Sequence, residues 1–214
     1  MSEAGQTVTS ERKKGWRLLL TAFKNRKTSV MLMFGFSSGL PYALLIGTLN
    51  AWLGEVKINL ATIGVLSWIG LSKFLWSPLV DRYELPLLGR LGRRKSWIIL
   101  CQGVMVGAFA LLALTDPTTN IGWFAIFAVV AALASATQDV AIDAWRIDVA
   151  DEAAPIDLLS TIYQLGYRIA SLVGGALALV LAARVSWSLV YLLMAGLIVI
   201  TAVIAFTAPD TERP

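Results

Sequence analysis

Apolar residues run along this chain in stretches too long and too continuous for the one-sided stripe of a soluble helix. Six stand out: Val30–Leu53, Leu60–Val80, Ser96–Thr115, Ile121–Ile142, Leu158–Ala183 and Ser186–Ala208. A hydrocarbon layer about 30 Å thick is crossed by about 20 residues of helix, and each stretch has that length. The pattern predicts an all-α integral membrane protein, a six-transmembrane-helix bundle with short polar connections. Ahead of it, Trp16, Leu19, Leu20 and Phe23 recur at i, i+3, i+4 and i+7 among Arg and Lys. That spacing predicts a short helix lying on the membrane surface. A signal peptide is the competing reading, but Leu18–Phe23 is short for its apolar core and no cleavage site follows. The organisation expected is therefore 1–28 as a cytosolic amphipathic segment, 29–208 as the six-span bundle and 209–214 as a cytosolic tail.

Composition sharpens the class. A mean hydropathy of +0.71 with 57% apolar residues excludes a soluble globular domain. Trp52, Trp97, Trp123, Trp145 and Trp187 fall near span ends, where interfacial aromatics gather. The pI of about 9.4 invites a nucleic-acid reading, but the placement of charge argues against it. Basic residues cluster before the first span (Arg12, Lys13, Lys14, Arg17, Lys24, Arg26, Lys27) and after the second (Arg82, Arg90, Arg93, Arg94, Lys95). The loops after the first, third and fifth spans hold only Lys57, no basic residue and Arg184. The positive-inside rule then puts both termini and the even-numbered loops in the cytosol. Topology accounts for the basic balance without nucleic acid. Cys101 is the single cysteine and there is no His, so no intramolecular disulfide, zinc-type site or other metal or cofactor is expected.

Glycine and proline mark close approach or bending. The first span carries Gly35, Gly39, Pro41 and Gly47, which fit either a bend lining a cavity or helix packing. The fifth carries Gly166, Gly174 and Gly175 with Ala170 and Ser171, a small-residue face suited to tight contact.

Charges inside hydrocarbon are costly, and each is a functional candidate. Here they are Lys73, Asp139, Asp143 and Arg168. At about 1.5 Å per residue, Lys73 lies roughly 12 Å and Arg168 roughly 15 Å from the cytosolic ends of their spans. Asp143 lies about 6 Å nearer the cytosol than Asp139. A buried carboxylate poised between an apolar wall that raises its pKa and a cation that lowers it suits proton coupling by Asp139. A static ion pair of Asp139 with Lys73 or Arg168 fits the same residues. Asp143, level with Asp81, Arg93 and Arg94, reads as part of a cytosolic gate. Lys73 and Arg168 suit a substrate bearing carboxylates, the one as a mobile point charge and the other as a forked donor. Gln138, Tyr163, Gln164 and Tyr167 are polar neighbours able to bond sugars or amides. An intramembrane aspartyl hydrolase needs carboxylates converging from two helices, whereas Asp139 and Asp143 share one face of one helix. An enzyme is not expected.

These residues also carry a resemblance. Asp81-Arg82 with Gly92-Arg93-Arg94-Lys95 resembles the loop between spans two and three of the major facilitator superfamily, with Ser77 where glycine is usual and an insertion before Gly92. Gly35-Phe-Ser-Ser-Gly39-Leu-Pro41, Thr48-Leu-Asn-Ala-Trp52, Lys73-Phe-Leu-Trp76-Ser-Pro78 and Asp81-Arg-Tyr83 resemble the AmpG muropeptide permeases more specifically. So do Ala136-Thr-Gln138-Asp139, Asp143-Ala-Trp145 and Gly166-Tyr167-Arg168. The resemblance implies the amino-terminal half of such a carrier, a major facilitator half with a 3+3 inverted repeat, although no internal sequence repeat marks it. It implies a bacterial inner-membrane importer, coupled to protons, that brings N-acetylglucosaminyl-anhydromuramyl peptides into the cytosol for cell-wall recycling. The expected partners are membrane lipid, the sugar-peptide, protons and a second six-helix half, as a homodimer or separate chain. A carrier of another large anion such as acetyl-coenzyme A, or a non-transporting truncated or regulatory membrane protein, is the alternative.

Overall fold

A computed structural model describes residues 25–58 and 92–209. Five helices among them are long and apolar enough to cross a membrane. We label them α1 (Arg26–Glu55), α2 (Arg93–Leu114), α3 (Ile121–Val149), α4 (Ile156–Ala182) and α5 (Trp187–Phe206). The expected span Leu60–Val80, with Lys73, lies outside the described residues, as do Asp81 and the amphipathic stretch up to Lys24. The expected count of six is therefore described for five. Two boundaries move. α1 starts at Arg26, so Lys27 and Thr28 belong to the first span rather than to the segment before it. α3 runs on to Val149 instead of stopping at Ile142, which places Asp143 and Arg146 inside the helix.

Local chemistry sets the helix ends. Asn25 Oδ1 accepts from the Lys27 amide at 2.9 Å at the start of α1, and Ser186 Oγ accepts from the Leu189 amide at 3.3 Å at the start of α5. Each satisfies a donor that the first helical turn leaves open. Gly92 precedes α2 at φ 86°, a conformation that costs glycine little. Pro41 lies inside α1, and a π-helical stretch follows at Ala43–Thr48. α4 holds a second π stretch, Leu172–Leu177. The two meet: the Thr48 hydroxyl donates to the Gly174 carbonyl.

Helix association inside a bilayer gains little from apolar burial, because lipid tails are as apolar as Leu; close packing must supply it. α1 and α4 run side by side, with Gly39 against Tyr167 and Gly166 against Leu32. A Cβ on Gly39 would come within 2.9 Å of Tyr167 Cα, and one on Gly166 within 3.0 Å of the Leu32 carbonyl carbon. α2 packs on α3, and α5 covers α2. At one end of the bundle Trp52 stacks on Trp187 (6.0 Å, 7°) and meets Phe124 edge-on at 5.1 Å. The other end carries Lys27 and Arg146 near the end of α3, with Arg94 and Lys95 at the start of α2; there Trp145 meets Phe34 edge-on at 5.0 Å. We call these the aromatic end and the basic end.

Candidate functional site

Helix α4 is the odd member of the bundle. Asp157, Ser160, Thr161, Gln164, Arg168 and Ser171 recur at three- and four-residue steps, forming a polar stripe along a helix of membrane-spanning length. Asp157, Thr161, Gln164 and Arg168 are exposed. The opposite face, Leu159, Ile162, Gly166 and Ala170, is buried, Gly166 directly against α1. Arg168 stands twelve residues into α4, about 18 Å from its start. Among the described residues none offers its guanidinium a carboxylate. An unneutralised guanidinium at that depth is too costly to face hydrocarbon, so this side of α4 must face water or a polar occupant.

Beside it, three phenol rings step along the seam between α1 and α4. Tyr163 and Tyr167 lie 6.4 Å apart, and Tyr42 of α1 lies 6.1 Å from Tyr167. The Arg146 guanidinium covers the far side of the series, 5.4 Å from the Tyr163 ring centre. Asp139 of α3 is half-buried, close enough for its charge to act on Tyr163, Tyr167 and the Cys101 thiol. The structure thus brings Asp139 and Tyr167 together, as two of the residues singled out in the sequence.

Gln138 has a different setting. It has no exposed surface, and its Oε1 accepts from Ser37 Oγ at 3.1 Å. Gln102 Nε2 donates to the same Ser37 oxygen at 2.9 Å. This polar triad ties α1, α2 and α3 together inside the core. Sequence reasoning missed Ser37 and Gln102. Their signal was a polar residue in the middle of an apolar span, which was read for charge alone.

Of the residues expected at a gate, Arg93, Arg94 and Asp143 are described, and they stand at the basic end. Asp143 Oδ1 accepts from Arg146 Nη2 at 2.8 Å, one turn along its own helix. Arg94 Nε pairs with Asp148 at 3.2 Å. Arg93 opens α2 and is half-buried. Two lysines close helix ends: Lys27 Nζ donates to the Val149 carbonyl at 2.8 Å and pairs with Asp151 at 2.5 Å, and Lys95 Nζ donates to the Ala208 carbonyl at 2.9 Å. A cation at a helix C-terminus meets the unpaired carbonyls and the negative end of the dipole. The Lys27 hydrogen bond holds the Asp151 carboxyl below its ordinary value of 3.8. None of this assembles a metal site: among the described residues no cluster of three potential ligands exists.

A bundle of apolar helices with one polar, cationic face is the build of a membrane transporter, and the chain belongs to the Major Facilitator Superfamily, whose family model matches residues 9–214. Its relatives are transporters rather than enzymes. The anhydromuropeptide permease of Escherichia coli (strain K12) is 41% identical over 197 residues, covering 89% of this chain and 39% of that permease. An AmpG-like transporter of Rickettsia felis is 32% identical over 200 residues, 91% of this chain and 48% of the relative. An uncharacterised protein of Haemophilus influenzae is 39% identical over 170 residues, 78% of this chain. The chain spans less than half the length of these relatives.

Proposed function

We propose that this chain is the amino-terminal half of a proton-coupled carrier importing anhydromuropeptides across the bacterial inner membrane, working with a second helical half. The observation that carries the reading is Arg168: exposed, deep in α4, without a carboxylate partner among the described residues and set in a polar stripe. A cation there is stabilised by an anionic cargo in a water-filled cleft, and the relative's name supplies an anionic sugar-peptide. Arg168 and Lys73 hold the cargo's carboxylates, and Tyr167 bonds its sugar or amide groups. Gln138 acts from the core, holding Asp139 in register through Ser37. Asp139 is the proton site, a half-buried carboxylate inside a membrane-spanning helix. Asp81, Arg93, Arg94 and Asp143 form the cytosolic latch. Arg93, Arg94 and Asp143 stand at the basic end, and its cations support both that role and a cytosolic placement of that end.

The polar face is tested by thiol accessibility. In a Cys101→Ser background, single cysteines at Gln164 and Arg168 should react with a membrane-impermeant methanethiosulfonate reagent and be protected by anhydromuropeptide. A cysteine at Val203, on the apolar outer face of α5, should not react. Equal silence at Gln164 and Arg168 would mean that α4 faces lipid or protein, and the reading would fall.

A further inference from the structure

Tyr42 is out of place for a residue in the middle of a membrane-spanning helix. It stands sixteen residues into α1, about 24 Å from the helix start, and is 54% exposed. A phenol hydroxyl facing hydrocarbon at that depth has no hydrogen-bond partner and pays for its lost water. Its ring is turned toward α4 instead, tilted 43° to Tyr167 at 6.1 Å. Tyr167 in turn meets Tyr163 at 38°, and Gly39 lets the α4 backbone come close enough for the series to form. Arg168 follows Tyr167 directly, and Gln164 lies one turn below it, both exposed.

We infer that Tyr42 and Tyr167 form a stacking platform for a sugar ring of the cargo. The inference rests on the carrier reading above and goes beyond it by assigning one part of the cargo to one pair of side chains. A pyranose ring presents a face of C–H groups and an edge of hydroxyl and amide groups. Two phenol rings offer an aromatic face for the first and O–H groups for the second. Gln164 adds an amide donor and acceptor, and Arg168 takes the neighbouring carboxylate. A lipid chain would gain nothing from two phenols, an amide and a guanidinium gathered at mid-depth. A peptide would use the amide and guanidinium but has no ring face to match the exposed phenol of Tyr42.

The test is competition against uptake of labelled anhydromuropeptide, using this chain together with the second half it needs. The competitors are the peptide-free anhydro-disaccharide and the sugar-free peptide. Tyr42→Ala should weaken competition by the disaccharide about fivefold and leave competition by the peptide unchanged. Tyr42→Phe keeps the ring and should stay within about twofold of the wild type, which also controls for folding. Unchanged disaccharide competition in Tyr42→Ala would overturn the platform, as would a loss confined to the peptide, which would make Tyr42 a peptide contact. No uptake or binding of anhydromuropeptide by the wild-type carrier would overturn the carrier reading, and the platform with it.

Discussion

Gly39 of α1 lies so close against Tyr167 of α4 that a single added methyl would come within 2.9 Å of the Tyr167 Cα. The same contact that joins the two helices sets the height of Tyr167, and with it Arg168, on the polar face. Packing and site are thus one feature. Gly39→Val should destabilise the bundle by about 1–3 kcal/mol, the usual cost of overpacking. Gly47, also in α1, has no atom of the described residues within 4 Å of an added Cβ, and Gly47→Ala should leave stability unchanged. Thermal unfolding of the two variants in detergent makes the comparison.

Ser37 Oγ joins Gln102 and Gln138 in the buried triad. Ser37→Ala strands a buried amide donor and a buried amide acceptor at once, each costing about 1–3 kcal/mol when left unsatisfied. Replacing the whole triad by apolar residues of similar shape should cost less than Ser37→Ala alone. Melting temperatures of Ser37→Ala and of the triple variant measure this; a triple variant that melts lower than Ser37→Ala would show that the triad stabilises the bundle beyond its buried hydrogen bonds.

Asp151 supplies a pH signature. Its carboxyl is held below 3.8 when folded, chiefly by Lys27, so the unfolded chain binds the proton more readily. The stabilisation is complete above the unfolded value, about pH 4, and is lost as pH falls through the lowered folded value. Wild type should melt higher than Asp151→Asn at pH 6, and the gap should close toward pH 3. A gap that is constant with pH would mean that the Lys27–Asp151 pair contributes nothing to stability.

Asp139→Asn should weaken accumulation driven by a pH gradient while leaving exchange of external for internal anhydromuropeptide largely intact. Vesicles with an imposed gradient separate the two. Accumulation equal to wild type would assign Asp139 to a static pairing role.

Much of this protein is legible in its sequence because the bilayer leaves so few choices. Lengths of apolar runs place four helices to within a turn or so, and a six-residue stripe of polar side chains on α4 is legible from spacing alone. The helix α3 ends two turns beyond the apolar run that stops at Ile142, past the charges of Asp143, Arg146 and Asp148. In the structure they pair with one another or with Arg94, and the helix continues through them. Gln138 could not be separated from Asp139 by spacing. Adjacent residues on a helix point about 100° apart, and which one faces the core depends on Ser37 and Gln102, which come from other helices. The π stretches are likewise invisible locally. Pro41 announces a disturbance, but the partner at Leu172–Leu177 contains no proline.

The central claim is that Arg168 faces an anionic sugar-peptide, and uptake of labelled anhydromuropeptide tests it most directly. Cells lacking their own permease would express this chain, alone or with a second half, as wild type, Arg168→Ala or Arg168→Lys. The account predicts uptake by the wild type, loss of about tenfold or more in apparent affinity for Arg168→Ala, and partial retention by Arg168→Lys. Uptake by Arg168→Ala equal to that of the wild type, at equal membrane abundance, would contradict it.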